Sequence, residues 1–153
     1  MPDGDAPDRD HVRVRLELDW RPLGEVLLVD DRLQFPVEAP KVAGVYRFSL
    51  RADTGGDTVY IGEGELLNKR FGWYRGGHGS QVTNKRMNDC MKDVLTSRGT
   101  VMVDVATEIR LEVDGQPVPS DLAKAFQRKL AENAALVAAG VAGEKIENKS
   151  KES

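Results

Sequence analysis

The tracts GVYRFSL, residues 44–50, and TVYIG, residues 58–62, decide the fold of this chain. Both are rich in β-branched and aromatic residues, which favour strands. The polar stretch between them contains the pair Gly55-Gly56, which is typical of a turn. The sequence therefore predicts an antiparallel hairpin with Tyr46 and Tyr60 near strand ends, beside glycines that leave room for a ligand to approach the backbone.

Further strands are predicted on both sides of this hairpin. Alternating apolar residues indicate strands over 11–18 and 25–35, with Asp30-Asp31 as a turn signal. We interpret the segment 11–35 as an added N-terminal β-hairpin. A strand over 100–106 shows the same alternation, and residues 109–113 are its candidate continuation.

Two helices are predicted between the hairpin and that strand. The first carries Arg70, is opened by residues 62–65 and ends in the glycine loop 76–79. The second runs over 83–97, where apolar residues recur at helical spacing. Cys90 lies on its apolar stripe, which predicts a buried and inert thiol.

The last helix is predicted to begin at a Ser120 cap, to run over 121–139 and to end at Gly140. Its predicted core stripe consists of residues three and four positions apart: Ala123, Phe126, Leu130, Ala134 and Val137. Glu132 lies off that stripe, among small and apolar neighbours. A solvent-exposed helix glutamate is the ordinary interpretation of such a position.

Length and composition indicate one domain, because 153 residues suffice for a single core. We expect an acidic disordered tail over 1–10, the domain over 11–148 and a charged tail over 149–153. The sequence has no apolar run of membrane-spanning length, and its N-terminus is acidic where a secretory signal is basic, so we expect a cytoplasmic protein. His11, His78 and one cysteine are too few for a zinc site.

Charge is unevenly distributed along the chain. The net charge is −3 and the sequence pI is about 5.5, which argues mildly against nucleic-acid binding. Residues 63–98, however, contain seven basic and four acidic side chains. The candidate phosphate-binding residues in this segment are Lys69, Arg75, Lys85 and Arg86. A solvated charged helix face is an equally ordinary interpretation of this segment.

The chain resembles the GIY-YIG nuclease family. The residues that carry the resemblance at the family's positions are Tyr46, Tyr60, Arg70 and the late helix glutamate Glu132, with Val45 as the middle residue of the first tract. The resemblance spans residues 36–148, and residues 60–86 resemble small bacterial members in particular. It implies an α+β fold, with a small antiparallel sheet flanked by three helices and, in this chain, the added N-terminal hairpin.

The same resemblance implies a Mg²⁺-dependent, or Mn²⁺-dependent, DNA endonuclease. Tyr46 would orient or deprotonate the attacking water, and Arg70 would lower the pKa of Tyr46 and hold the scissile phosphate. Glu132 would bind the metal. Tyr60 would hydrogen-bond within the site, and Tyr74 stands where other members place a tyrosine or histidine. DNA is the implied partner, and a protein partner could direct the enzyme to its target.

Some positions depart from the family pattern. Glu63 adds a negative charge directly after the second tract, near a site meant for phosphate. Asn148 is the candidate for the family's late asparagine, although it lies in a charged segment. His78 is off the family's spacing, so we interpret it as a loop residue. We also expect no appended recognition domain.

Structural interpretations of the same residues stay open at this point. Strand tyrosines are often half-buried with an exposed hydroxyl. Arg70 shares a helical stripe with apolar residues, and such an arginine usually extends its charged end to solvent. The alternative function is therefore a catalytically weak or inactive module of the same fold that binds nucleic acid or a protein.

Overall fold

The computed structural model describes residues 10–36, 39–76 and 82–148. Both predicted tails, apart from Asp10, and the loop residue His78 lie outside the described residues. Within them the chain is α+β, as predicted. In chain order the elements are β1 (Val14–Leu18), β2 (Arg21–Val29), β3 (Arg32–Gln34), β4 (Gly44–Arg51), β5 (Asp57–Gly64), α1 (Leu67–Gly76), α2 (Val82–Thr96), β6 (Thr100–Ala106), β7 (Ile109–Val113), β8 (Gln116–Val118), α3 (Ala125–Val141) and β9 (Lys145–Ile146).

The hairpin predicted from residues 44–62 is confirmed. Strand β4 pairs antiparallel with β5, so that Tyr46 lies opposite Gly62 and Phe48 lies opposite Tyr60. Facing residues of paired strands project to the same side of a sheet. Tyr46 and Tyr60 therefore point to one face.

Two sheets are formed by the described residues. The larger has the strand order β3-β2-β6-β4-β5-β9, and the smaller has the order β1-β7-β8. All pairs are antiparallel except β5 with β9, which are parallel. In the described part of the chain, strand β9 pairs with Thr58 and Val59 alone, so the second half of β5 has no strand neighbour there on that side. That free edge of β5 is where the candidate site lies.

Alternation along β4 and β5 separates two apolar clusters. Tyr46, Phe48 and Tyr60 pack with α1, α2 and the valines of β6 on one face. Val45 and Ile61 pack with α3 and the smaller sheet on the other face. Strands buried on both faces explain why these tracts are apolar almost throughout.

The N-terminal segment is not an added hairpin, contrary to our prediction. A hairpin does form between β2 and β3, and its turn residues Asp30 and Asp31 have φ of 50° and 63°, as a type I′ turn requires. However, β2 also pairs with β6 inside the larger sheet, and β1 pairs with β7 in the smaller one. Residues 109–113 therefore do not continue β6. Alternation identifies a strand but does not identify its partner.

The first two helices agree with prediction in most respects. Helix α2 buries Met87 and Met91 completely, and Cys90 packs against the same cluster, where burial raises the pKa of its thiol. Residues 62–64, however, belong to β5, so that α1 begins only at Leu67. No helix in the described part of the chain is long and apolar enough to cross a membrane.

The predicted orientation of α3 is wrong. Phe126 is 71% exposed and Val137 is 66% exposed, so the predicted core stripe faces outward. The buried face is made of Gln127, Arg128, Ala131, Glu132, Ala135 and Ala139. The helix also begins at Ala125, later than predicted, because the Ser120 hydroxyl donates to the Ile109 carbonyl at 2.9 Å and does not cap the helix.

Candidate active site

Three tyrosine hydroxyls form a hydrogen-bonded chain between the larger sheet and α1. The hydroxyl oxygens of Tyr46 and Tyr74 lie 2.7 Å apart, and Tyr74 donates to Tyr60 over 3.2 Å. Because a hydroxyl has one proton, Tyr46 is then the donor to Tyr74. The exposed fraction rises in the same order, from 0% at Tyr46 to 1% at Tyr74 and 8% at Tyr60. The proton of Tyr60 is therefore at the outer end of the chain.

Glycines of the two tracts make room for the protein's own groups. A Cβ built at Gly62 would overlap the hydroxyl and ring of Tyr46, which lies directly across from it. A Cβ at Gly44 would lie 2.7 Å from the backbone oxygen of Ala106. From the sequence alone, these glycines are predicted to let a ligand approach the backbone. Internal packing accounts for them instead.

Asn88 of α2 holds the end of α1 that carries Tyr74. Its side-chain amide is buried and donates to the carbonyl oxygens of Tyr74 at 2.6 Å and Arg75 at 3.0 Å. Carbonyls in the last turn of a helix have no partner within that helix. The contact therefore satisfies this helix end and positions the Tyr74 hydroxyl against the sheet.

Burial raises the pKa of all three tyrosines above their ordinary value of 10.0. The Arg70 guanidinium does lower the pKa of Tyr46, but the effect of burial is larger. Our expectation that Arg70 prepares Tyr46 for deprotonation at neutral pH is therefore wrong. Burial destabilises the phenolate form of Tyr46 by more than the charge of the Arg70 guanidinium stabilises it. The chain of hydroxyls is neutral.

Arg70 lies at the free edge of β5. Backbone groups on the outer side of this strand form hydrogen bonds with residues outside the sheet. The Glu147 amide donates to the Val59 carbonyl at 2.7 Å, and Arg70 Nη2 donates to the Glu63 carbonyl at 3.3 Å. Between them, the Ile61 backbone bonds the side chain of Asn148. Edge strands are generally covered in this way. Arg70 is thus anchored at one nitrogen.

Asn148 is an integral part of this edge. Its Oδ1 accepts from the Ile61 amide at 3.0 Å, and its Nδ2 donates to the Ile61 carbonyl at 2.6 Å. The side chain imitates a paired strand residue, and Asn148 is 5% exposed. Although Asn148 lies in a charged segment of the sequence, it is firmly held, because its amide replaces the backbone hydrogen bonds that β9 does not extend to Ile61.

Glu63 connects the tyrosine strand to α3. Its carboxylate accepts from Arg128 Nε at 2.6 Å and from Lys129 Nζ at 2.9 Å. Burial by itself raises the pKa of Glu63, but hydrogen bonds and charge from Lys129 and Arg128 hold it below 4.5 overall. The negative charge that we expected to face a phosphate is therefore neutralised within the fold. Because the Glu63 carbonyl also accepts from Arg70, Glu63 links that residue of the site to Arg128 and Lys129 on α3.

Glu132 lies on the buried face of α3, one turn beyond Arg128, and is 5% exposed. It is not the solvent-exposed helix glutamate that its spacing suggested. Its charge acts on Tyr60: burial is the main cause of the raised pKa of that tyrosine, and the Glu132 carboxylate adds to the rise. The carboxylate is therefore within electrostatic reach of the outer end of the hydroxyl chain.

The donor set suits a metal held in part by substrate. Among the described residues there is no cluster of three or more His, Cys, Asp or Glu side chains that could hold an ion. Mg²⁺ commonly binds through one or two carboxylates and completes its shell with water and phosphate oxygens. Glu132, a buried hard-oxygen donor whose charge acts on Tyr60, fits that mode of binding.

The predicted phosphate-binding residues are placed differently from one another. Lys69 and Arg75 are exposed on α1, and Lys85 is exposed on α2 with an ion pair to Asp89 at 3.1 Å. Arg86, by contrast, bonds the carboxylate and carbonyl of Glu147 at 3.3 and 2.9 Å. Its role as a nucleic-acid contact is not supported, because both interactions hold the C-terminal segment in place.

Sequence reasoning missed several residues that organise the site. Arg128 and Asn88 had no predicted role, and Glu63 had a predicted role opposite to the observed one. A signal existed for Arg128, which lies four positions before Glu132 and so shares its helix face. Its partner Glu63, 65 positions away, could not be found from spacing.

The fold thus brings Tyr46, Tyr60, Tyr74 and Arg70 into one cluster, and the charge of Glu132 on α3 acts on Tyr60. Comparisons of the chain with protein-family models, with curated proteins and with solved structures found no match. A function for this chain has to be argued from these side chains.

Proposed function

We propose that the protein is a Mg²⁺-dependent endonuclease that hydrolyses phosphodiester bonds in DNA. The observation that carries the proposal is the oriented chain of hydroxyls from Tyr46 through Tyr74 to Tyr60, with Arg70 acting on Tyr46 and Glu132 acting on Tyr60. Hydrolysis of a phosphodiester needs an oriented water, positive charge at the phosphate and a carboxylate for the metal. In this proposal Tyr60, Arg70 and Glu132 would supply these three components.

Arg70 is the residue that would hold the scissile phosphate. Its Nη2 is anchored on the Glu63 carbonyl, its guanidinium interacts with the Tyr46 hydroxyl, and the residue lines an open cleft. A planar guanidinium can donate to two phosphate oxygens at once, which lysine cannot do.

Tyr60 is the residue that would orient the attacking water. It has the outermost hydroxyl of the chain, and its proton is not used by Tyr46 or Tyr74 in the arrangement described. The chain is polarised in one direction, which strengthens each hydrogen bond in it. Tyr46, which is fully buried, then acts as a positioning residue behind Tyr74.

Glu132 would hold Mg²⁺, or Mn²⁺ in its place. When bound, the ion would polarise the phosphoryl oxygens and offset their charge. A single carboxylate predicts weak metal binding in the absence of DNA, because phosphate oxygens supply part of the shell.

The second candidate is a module of this fold that binds nucleic acid without cleaving it. The observation that favours it is the raised pKa of all three tyrosines, which leaves no tyrosine close to deprotonation at neutral pH. Exposed Lys69, Arg75 and Lys85 would supply phosphate contacts. Binding through them should weaken steeply as salt rises, since each contact releases counterions.

Nicking of supercoiled plasmid separates the two candidates. We expect cleavage by the parent protein with Mg²⁺ or Mn²⁺ and none with EDTA. Glu132→Gln should abolish cleavage, and Arg70→Lys should reduce its rate roughly 10²-fold, as for other losses of transition-state charge stabilisation. Glu144→Gln is the matched control, because Glu144 is exposed just beyond α3, and it should cleave at the parent rate.

Failure of the parent protein to cleave either supercoiled plasmid or single-stranded DNA, with salt-dependent DNA binding retained, would establish the binding module instead. Cleavage by Glu132→Gln at the parent rate would refute the metal assignment. Circular dichroism of each variant would exclude unfolding as the cause of a lost activity.

A further inference from the structure

A cleft of about 250 Å³ opens beside Arg70. Its walls come from the end of β5, from α1 and from α3, and they include Gly64, Leu66, Lys69, Arg70, Trp73 and Arg128. Drug-sized ligands usually occupy larger pockets, of roughly 300–1,000 Å³. The volume of this cleft therefore suits a single planar ring system.

Trp73 places an aromatic ring at this cleft. It is 37% exposed, whereas Tyr46, Tyr60 and Tyr74 on the adjoining sheet and helix are buried. The guanidinium carbon of Arg70, one turn earlier on α1, lies 5.3 Å from the centroid of the Trp73 ring. The residue assigned to the phosphate and a partly exposed aromatic ring are thus direct neighbours.

The charge of the cleft suits an anionic ligand. Lys69 and Arg70 are cations on its wall, and Arg128 is paired with Glu63. Two acids line the cleft, Glu63 and Glu65. The Glu63 carboxylate is neutralised by Arg128 and Lys129, whereas Glu65 forms no ion pair with a described residue. A phosphate on Lys69 and Arg70 would meet a net positive wall.

We propose that this cleft binds an unpaired nucleobase against Trp73 while the adjacent phosphate lies on Arg70 and Lys69. The inference rests on the proposed function and assigns its substrate class: DNA with single-stranded or unstacked nucleotides at the cleavage site. Inside a continuous duplex the faces of a base are covered by its neighbours, so that Trp73 can stack only on a base that has left the stack. Aromatic stacking is indifferent to base identity, so cleavage should have little sequence preference.

Fluorescence of Trp73 tests this directly. The chain has two tryptophans, and Trp20→Phe leaves Trp73 as the only one while keeping an aromatic ring near Arg47. In EDTA, this variant is titrated with a single-stranded thymidine oligonucleotide, with an abasic oligonucleotide of equal length and with a hairpin duplex. Saturable quenching is expected with the thymidine oligonucleotide and little change with the abasic one.

Affinity gives an independent readout. Trp73→Leu should weaken binding of the thymidine oligonucleotide about 5- to 150-fold, the range of one lost stacking contact. Trp73→Phe, which keeps a ring, should weaken it less. Binding of the abasic oligonucleotide should be the same in both variants, because its phosphates reach Lys69 and Arg70 alone.

Equal quenching by abasic and thymidine oligonucleotides, or tighter binding of the duplex than of the single strand, would overturn the inference. Cleavage of DNA without quenching would also overturn it and would leave the endonuclease proposal intact. Quenching by single strands without cleavage of any DNA would support the stacking site and refute the endonuclease. The two proposals therefore fail separately.

Discussion

Replacing Glu63 by leucine should destabilise the protein severely. The Arg128 and Glu63 side chains are only 11% and 9% exposed, and their ion pair is 2.6 Å long. Removing one member of a buried pair leaves the other charge without compensation, which costs about 3–5 kcal/mol. For a chain of this length, that loss corresponds to a fall in Tm of roughly 6–20 °C.

Two further variants isolate the buried pair as the cause. Glu63→Gln keeps an oxygen acceptor for Arg128 and loses the charge, so its cost should be intermediate, about 1.5–3 kcal/mol. Lys129→Gln removes the other ion-pair partner of Glu63. The Lys129 side chain is 56% exposed. An exposed ion pair contributes less than about 1 kcal/mol, so this control should be nearly neutral.

The free energies of unfolding of Glu63→Leu, Glu63→Gln and Lys129→Gln are measured by urea denaturation, monitored by circular dichroism, at neutral pH and in acid. Glu63 has a pKa below 4.5, so its contribution is fully present above that pH and is lost as pH falls through the lowered pKa. The difference between the parent and Glu63→Leu should therefore shrink in acid. Equal costs for Glu63→Leu and Lys129→Gln, or a difference that does not change with pH, would refute this account of how α3 is held.

Two other variants test the edge of β5 and the orientation of α3. Asn148→Ala should cost about 1–3 kcal/mol, because it leaves the Ile61 amide and carbonyl unsatisfied, and amide exchange at 145–147 should accelerate. Unchanged exchange there would contradict the bracing role of Asn148. Phe126→Ser should change stability by less than about 0.5 kcal/mol, since Phe126 is 71% exposed. Its control, Ala131→Leu on the buried face of the same helix, should cost about 1–3 kcal/mol by overpacking. If urea unfolding showed that Phe126→Ser is the more destabilising of the two, the assigned orientation of α3 would be wrong.

Local pattern was sufficient for much of the sheet and for α2. Alternation placed β6 at Thr100–Ala106, and the turn signal between the tyrosine tracts placed β4 against β5. That pairing is enough to bring Tyr46 and Tyr60 to one face, because side-chain direction in a strand depends only on position along it. The spacing of Met87 and Met91 likewise identified the buried face of α2.

Partner choice needed the tertiary structure. β1 alternates as a strand should, yet it pairs with β7 and not with its neighbour in sequence. On α3 the larger apolar side chains, such as Phe126, are exposed, while alanines and the charged residues Arg128 and Glu132 are buried. Periodicity reveals that a helix has two unlike faces. It does not reveal that a sheet will come so close that only small residues fit, or that Glu63 will neutralise a buried arginine.

The chemistry of the candidate site divides in the same way. The sequence by itself determined which residue types are present and that two tyrosines share a strand pair, because those properties depend on near neighbours. The tertiary structure decided that the Tyr46 hydroxyl is buried and that the charge of Glu63 is neutralised. Desolvation and ion pairing depend on atoms that are distant in the chain and close in space, so the raised pKa of Tyr46 and the lowered pKa of Glu63 arise only when the chain is folded.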